Sequence, residues 1–218
     1  MVSVYIIYFF ILSTVGYVYE TIAMTLWGGK WDNRGFFYGP LIPIYGAGAL
    51  GGTLLFTYFI HNNTPLKVFL IGMIVSAVLE YSVHYVLEKI FHQVWWDYSK
   101  SIWNINGRIC LPASVGFGIA GVLIIFVVNP WLIPLIMKSS STARTVTAAV
   151  LIIIFVTDFI LTVRHLKGEN HALEQKYEAF NRFMDEQTGK IINESMALNK
   201  RVYVIFDKID HRNRASED

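Results

Sequence analysis

A single cysteine, Cys110, stands in the whole chain. A disulfide within the chain is therefore excluded, and so is any metal site built from several cysteines. Charge is scarce too: Asp, Glu, Lys and Arg make up 16% of the residues, against about 25% in soluble domains. No basic run of the kind that binds nucleic acid occurs, and a net charge of +2 implies no class of partner. The phosphate-cradling pattern G-x-x-x-x-G-K-[ST] is missing, which excludes ATP hydrolysis by that route. Neither Ser114 nor Cys110 has a base at a useful spacing, so the reading leans away from an enzyme. No spacing points to a catalytic residue, a metal or a cofactor.

What the chain has is hydrocarbon. Hydrophobic residues make up 54% and the mean hydropathy is +0.45. Charge is also uneven: residues 1–163 hold 8 Lys/Arg and 6 Asp/Glu, and the last 55 hold 10 and 10. The expected fold is all-α, with an integral membrane helical bundle over 1–165 and a cytoplasmic helical tail over 166–218.

A span needs about 20 apolar residues. Five are expected, over about 2–27, 41–60, from after Pro65 to about 90, 112–136 and 145–163. The first is apolar from its second residue and has no basic leader, so it reads as a span and not as a cleaved signal. Gly46, Gly48, Gly51 and Gly52 crowd the second, where a packing face is favoured over a ligand path. The segment 89–111 is expected to be a re-entrant or interfacial element. Lys30, Arg34, Lys89, Lys100, Arg108, Arg164 and Lys167 fall in one set of loops, and Lys67, Lys138 and Arg144 in the other. That bias places the N-terminus outside and the C-terminus in the cytoplasm of a cell-membrane protein. In the tail, Tyr177, Met184, Ile191, Leu198 and Ile205 recur every seven residues. Leu173 and Phe180 accompany them, but Gln187, Glu194 and Arg201 follow in those places, so the seam weakens. An amphipathic helix and a dimerising coiled coil are both open.

The polar residues cluster by sequence block. Glu20 stands near the end of the first span, and Asn33-Arg34 in the loop that follows. Tyr45 opens the second span. Glu80, His84 and Glu88 are spaced four and four, which puts them on one helical face. Trp95-Trp96-Asp97-Tyr98-Ser99 and Asn104-Ile105-Asn106-Gly107-Arg108 make a dense polar and aromatic block between two apolar runs. By the loop assignment all of these share one membrane side. Ionisable groups beside hydrocarbon are costly and usually have a partner or a task. Two readings compete: a cytoplasm-facing cavity, or ion pairs that lock the helices. The candidate ligand-binding set is Glu20, Asn33, Arg34, Tyr45, Glu80, Trp96, Asp97, Tyr98, Asn106 and Arg108. The arginines can clamp a carboxylate or phosphate, and the aromatic rings can wall a ligand or face a cation. Asp158, inside the fifth span, stays outside the set, with Arg164 as its expected partner.

Several of these blocks carry a resemblance. Tyr19-Glu20, Asn33-Arg34-Gly35-Phe36, Gly39-Pro40, Pro43-Ile44-Tyr45-Gly46, Leu79-Glu80, Trp96-Asp97-Tyr98-Ser99 and Asn106-Gly107-Arg108-Ile109 resemble the bacterial family labelled putative ABC-transporter type IV (CmpB-like), in consistent order over about residues 10–120. The resemblance implies a small polytopic membrane protein. The expected function is a transporter or permease-like protein that binds a small charged or amphipathic ligand or a lipid headgroup. A gradient or a partner ATPase would drive it, and the tail could form a homodimer. The alternatives are an intramembrane lipid-modifying enzyme and a structural or regulatory scaffold acting through its tail.

Overall fold

The computed structural model describes residues 1–61, 63–166 and 175–195. The helices are α1 (Val2–Gly28), α2 (Pro43–Leu54), α3 (Pro65–Phe91), α4 (Leu111–Leu123), α5 (Asn129–Met137) and α6 (Ser141–Leu166), with α7 over 175–195. A π turn extends α2 over Leu55–Phe59, and another joins α4 to α5 over Ile124–Val128. The chain divides into two compact units. Within the described residues, the first holds 1–19 and 34–166 and the second holds 20–33 and 175–195.

Helix boundaries follow local chemistry. Thr64 caps α3 by accepting a hydrogen bond from the Lys67 N–H, and Pro65 sits at the first position, where its missing N–H is no loss. His92 ends α3 in the left-handed conformation, at φ 55°. Ser140 accepts from the Ala143 N–H at the start of α6.

Four helical stretches among the described residues are long and apolar enough to cross a membrane: Val2–Gly28, Pro65–Phe91, Leu111–Met137 and Ser141–Leu166. The all-α membrane bundle therefore holds, but the expected count of five spans is corrected. The segment expected over 41–60 forms a 12-residue α-helix and a five-residue π turn. Together these reach about 25 Å, short of a hydrocarbon core of about 30 Å. Pro40 and Pro43 explain the late start, because a residue before proline is pushed out of the helical region. Ile42 is accordingly extended, at φ −118° and ψ 93°. Residues 34–42 remain as an irregular leg leading into this short helix.

In the first unit, α2 runs back along α1. The Ile42 N–H donates to the Ser13 carbonyl at 3.2 Å, Tyr8 meets Thr53 at 3.1 Å, and Tyr5 meets Tyr58 at 3.1 Å. Contact is close because Gly46 lies against Phe9 and Ser13, and Gly16 against the Tyr45 ring. Gly72 and Gly118 bring α3 and α4 together in the same way. Small residues permit such approach in lipid, where apolar burial alone gives helices little reason to associate. The core gathers Val4, Tyr8 and Leu12 of α1 with Ala49, Leu132 and Ile136. Inside it the Tyr8 hydroxyl donates to Asn129 Oδ1 at 2.7 Å, and Asn129 Nδ2 donates to Thr53 Oγ1 at 3.0 Å. This triangle ties α1, α2 and α5.

The second unit is built around α7. Asp185 Oδ1 accepts from the Trp31 N–H at 2.9 Å. One turn away, Asn181 Oδ1 accepts from Trp31 Nε1 at 3.2 Å and from Asn33 Nδ2 at 2.9 Å. Tyr177, Met184 and Ile191 lie within α7, whereas Leu173, Leu198, Arg201 and Ile205 of the heptad pattern lie outside the described residues.

Candidate functional site

The polar block after α3 folds back along that helix as a hairpin. Asn106 and Gly107 both have positive φ, 53° and 68°. The Arg108 N–H donates to the Ile105 carbonyl, and the Ile105 N–H donates to the Ile109 carbonyl. This is the two-residue turn that an Asn-Gly pair favours. The Tyr98 N–H then closes onto the Gly107 carbonyl at 2.8 Å.

Three residues of one α3 face receive the hairpin in order. Glu80, buried, accepts from the Tyr98 hydroxyl at 3.0 Å. His84, also buried, donates from Nε2 to the Trp96 carbonyl at 3.0 Å, because a carbonyl can only accept. Their rings meet edge to face at 5.2 Å. Glu88 Oε2 takes Arg108 Nη2 at 2.7 Å. The four-and-four spacing of α3 is thus used as one docking face. Trp96 Nε1 donates to the Arg108 carbonyl at 3.0 Å and ties the two arms of the hairpin to each other.

Arg108 is the centre of the arrangement. Its Nη1 donates to the Tyr81 hydroxyl at 2.9 Å, and Asn106 Nδ2 donates to the same oxygen at 2.9 Å. The guanidinium carbon lies 5.1 Å from the Tyr81 ring centroid and 5.2 Å from that of Tyr85. Flat cations favour such ring faces. The Glu88 carboxylate raises the Arg108 pKa above its already high value. Arg108 is mostly covered, at 16% exposure, while Glu88 is 38% exposed. Chemically this is a fixed cation whose anionic partner among the described residues, Glu88, can be reached from outside.

Asp97 lies within the hairpin, while Arg34, Tyr45, Glu20 and Asn33 lie outside it. Asp97 accepts from the Ser99 N–H at 2.8 Å and from the Ser99 hydroxyl at 3.0 Å. Those bonds hold its carboxyl below the usual carboxylate range. Arg34 Nη1 reaches the Trp95 carbonyl at 3.4 Å. Tyr45 packs its ring on Gly16 and, at 5.8 Å, on Phe117. Glu20 and Asn33 belong to the second unit, where Asn33 binds Asn181. The structure therefore brings together Glu80, Trp96, Asp97, Tyr98, Asn106 and Arg108. Among the described residues, no group of three or more His, Cys, Asp and Glu side chains is placed to hold a metal ion.

Beside the hairpin lies an open groove of about 740 Å³. Ile74, Val78 and Tyr81 of α3 form one wall, Trp103 and Ile105 of the hairpin a second, and Ser114 of α4 part of the floor. None of the ten candidate residues lines it. Trp103, at φ 51° and 80% exposure, stands at its rim.

The family model described as "Putative ABC-transporter type IV" matches residues 7–163. The chain belongs to that family. Its matched region contains the hairpin, the whole docking face of α3 and the groove. Comparison with curated proteins and with solved structures gave no match.

Sequence reasoning passed over Tyr81, which joins Arg108 to Asn106, and noticed Asp158 but left it outside the candidate set. Tyr81 had a signal: it stands one turn before Tyr85, and both rings lie on the side of α3 that a following arginine can reach. Asp158 had a stronger one, as an acid inside an apolar helix. Its Oδ1 accepts from the Tyr38 N–H at 3.1 Å and its Oδ2 from the Gly39 N–H at 2.8 Å.

Proposed function

We propose that this chain is a permease-like transport protein of the cell membrane that binds a small charged or amphipathic molecule or a lipid headgroup. The observation that carries the reading is the Arg108 site. A guanidinium lies over two tyrosine rings and has one accessible carboxylate as counter-ion, next to an open groove. An arriving carboxylate or phosphate takes the place of Glu88 on Arg108, since both oxyanions suit the guanidinium fork. Its apolar part lies in the groove against Ile74 and Val78. Glu80, Trp96, Tyr98 and Asn106 position the hairpin. The family label supports a partner ATPase as the source of energy. The Lys/Arg bias of the loops supports an outside N-terminus and a cytoplasmic C-terminus; with four spanning helices among the described residues this topology requires the leg 34–42 and α2 together to bring the chain back along α1 to its starting side, as the Tyr8–Thr53 and Tyr5–Tyr58 contacts suit. The heptad positions of the tail support a homodimer.

A second reading is a lock that only fastens the hairpin to α3, and the number of Arg108 partners favours it. Native mass spectrometry of protein extracted gently from its membranes separates the two. On the transport reading, wild type carries an anionic small molecule or lipid, Glu88→Gln keeps or gains it, and Arg108→Ala loses it. On the lock reading all three are bare, and both variants are merely less stable.

A further inference from the structure

We infer that Asp158 is a proton-binding site: ionised, it clamps the irregular leg 34–42 inside the bundle, and protonated, it lets the leg go. This inference does not rest on the transport reading. Asp158 is the eighteenth of the 26 residues of α6. It therefore lies about 7 Å from the helix midpoint, well inside a hydrocarbon half-thickness of about 15 Å. Irregular backbone at such depth needs its polar groups satisfied by protein. The carboxylate does this for two consecutive amides, Tyr38 and Gly39. Thr162, itself buried, donates its hydroxyl to Oδ1 at 3.3 Å. Three donors thus face one carboxylate, which is what an ionised acid needs in order to stay charged away from water.

The fit is made for this carboxylate. A methyl group on Gly39 would sit 2.8 Å from Asp158 Oδ2. Glycine is the residue that lets the acid reach the backbone. On either side of the clamp, Phe37 packs on Phe155 at 5.0 Å, and the Tyr38 ring meets His165 at 5.5 Å. Among the described residues, the ionisable groups on the elements that meet the leg are its own Arg34 and Tyr38, Tyr17 of α1 beside Gly35, Arg164 and His165 of α6, and Glu88, Lys89 and His92 at the end of α3, where Phe91 packs on Phe36. α1 carries no Asp, Glu, Lys or Arg between its start and Tyr17.

When a proton from water adds to one carboxylate oxygen, that oxygen gains an O–H and the charge is lost. Both N–H···O⁻ bonds drop to the strength of neutral ones, about half. One oxygen now presents a donor towards a donor unless it rotates away. The leg then keeps its aromatic contacts but loses its polar anchor.

The test uses the full chain in lipid nanodiscs, as wild type, Asp158→Asn and Gly39→Ala. Infrared spectroscopy follows the protonated-carboxyl band against pH, and amide exchange follows the peptide covering 34–42. Exchange of the α1–α2 core serves as the folding control. In wild type the band and the loss of protection share one midpoint, with a loss of about tenfold. Asp158→Asn loses that band component and the pH step, and its leg exchanges fast at every pH. Gly39→Ala, which pushes the carboxylate off, moves the midpoint. A pH step that survives in Asp158→Asn sinks the proposal, as does a titrating band with no change in exchange. A wild type with neither feature between pH extremes that preserve the core makes Asp158 a fixed anchor and also overturns it.

Discussion

Arg108 Nη2 and Glu88 Oε2 lie 2.7 Å apart, and the same guanidinium covers the rings of Tyr81 and Tyr85. One side chain of the hairpin thus holds three residues spread over two turns of α3. Shape matters here as much as charge, since a lysine ammonium cannot take two directed bonds while lying flat on a ring.

Arg108→Ala should therefore loosen the hairpin and lower the melting temperature by a few degrees. Arg108→Lys should recover only a minor part, despite keeping the charge. Thermal unfolding in detergent, read by Trp96 and its neighbours, checks this. Full rescue by lysine would show that the planar fork is unimportant.

Acid should act on the hairpin through Asp97. Its carboxyl is held below the usual range by Ser99, so its folded value lies beneath the unfolded value of about 3.9. The stability it adds is complete above the unfolded value and fades as pH falls through the folded one. Protection of the Ser99 amide should drop as pH goes below about 4, and Asp97→Asn should flatten that profile. An unchanged profile in the variant would assign the acid sensitivity elsewhere.

Two glycines should answer oppositely to alanine. At Gly46 a methyl group would overlap Phe9 and Ser13. Gly46→Ala should part α1 from α2 at about 2 kcal/mol or more. At Gly116 nothing lies within 4 Å of the added carbon. Gly116→Ala should be neutral or add up to about 1 kcal/mol by favouring helix. Denaturant titrations of the two variants side by side measure the contrast.

Tyr8→Phe should cost about 1 kcal/mol, between the mean of about 0.6 and the maximum of about 1.7 found for hydrogen bonds between membrane helices. Combined with Asn129→Leu, its effect should shrink, because the hydroxyl has already lost its acceptor. A double-mutant cycle that sums without coupling would show that the Tyr8–Asn129 contact adds nothing to stability.

Much of the architecture was legible in the chain because length and hydropathy report directly on a lipid environment. α1, α3 and α6 stand out in that way. The Glu80–His84–Glu88 face was also legible, since helical spacing alone aligns the three. The short helix at 43–59 was not: hydropathy counts apolar residues, and it is blind to where prolines let a helix begin. The pairing of Arg108 with Glu88 needed the hairpin's turn, whose signal is the Asn106-Gly107 pair. For Asp158 the charge pattern pointed to Arg164, whereas the groups that bond it, the Tyr38 N–H, the Gly39 N–H and the Thr162 hydroxyl, carry no charge. Backbone amides have no signature in a sequence.

The turn over Ile124–Val128 closes its hydrogen bonds one residue later than an α-helix does. Everything beyond it is rotated by the angle of that extra residue, about 100°. Asn129 reaches Tyr8 and Thr53 because of this offset. The span from Leu111 to Met137 is thus two helical phases on one axis, one keyed to α3 and the other to α1. Deleting a single residue from the turn would preserve its apolar length and composition while aiming Asn129 away from the core.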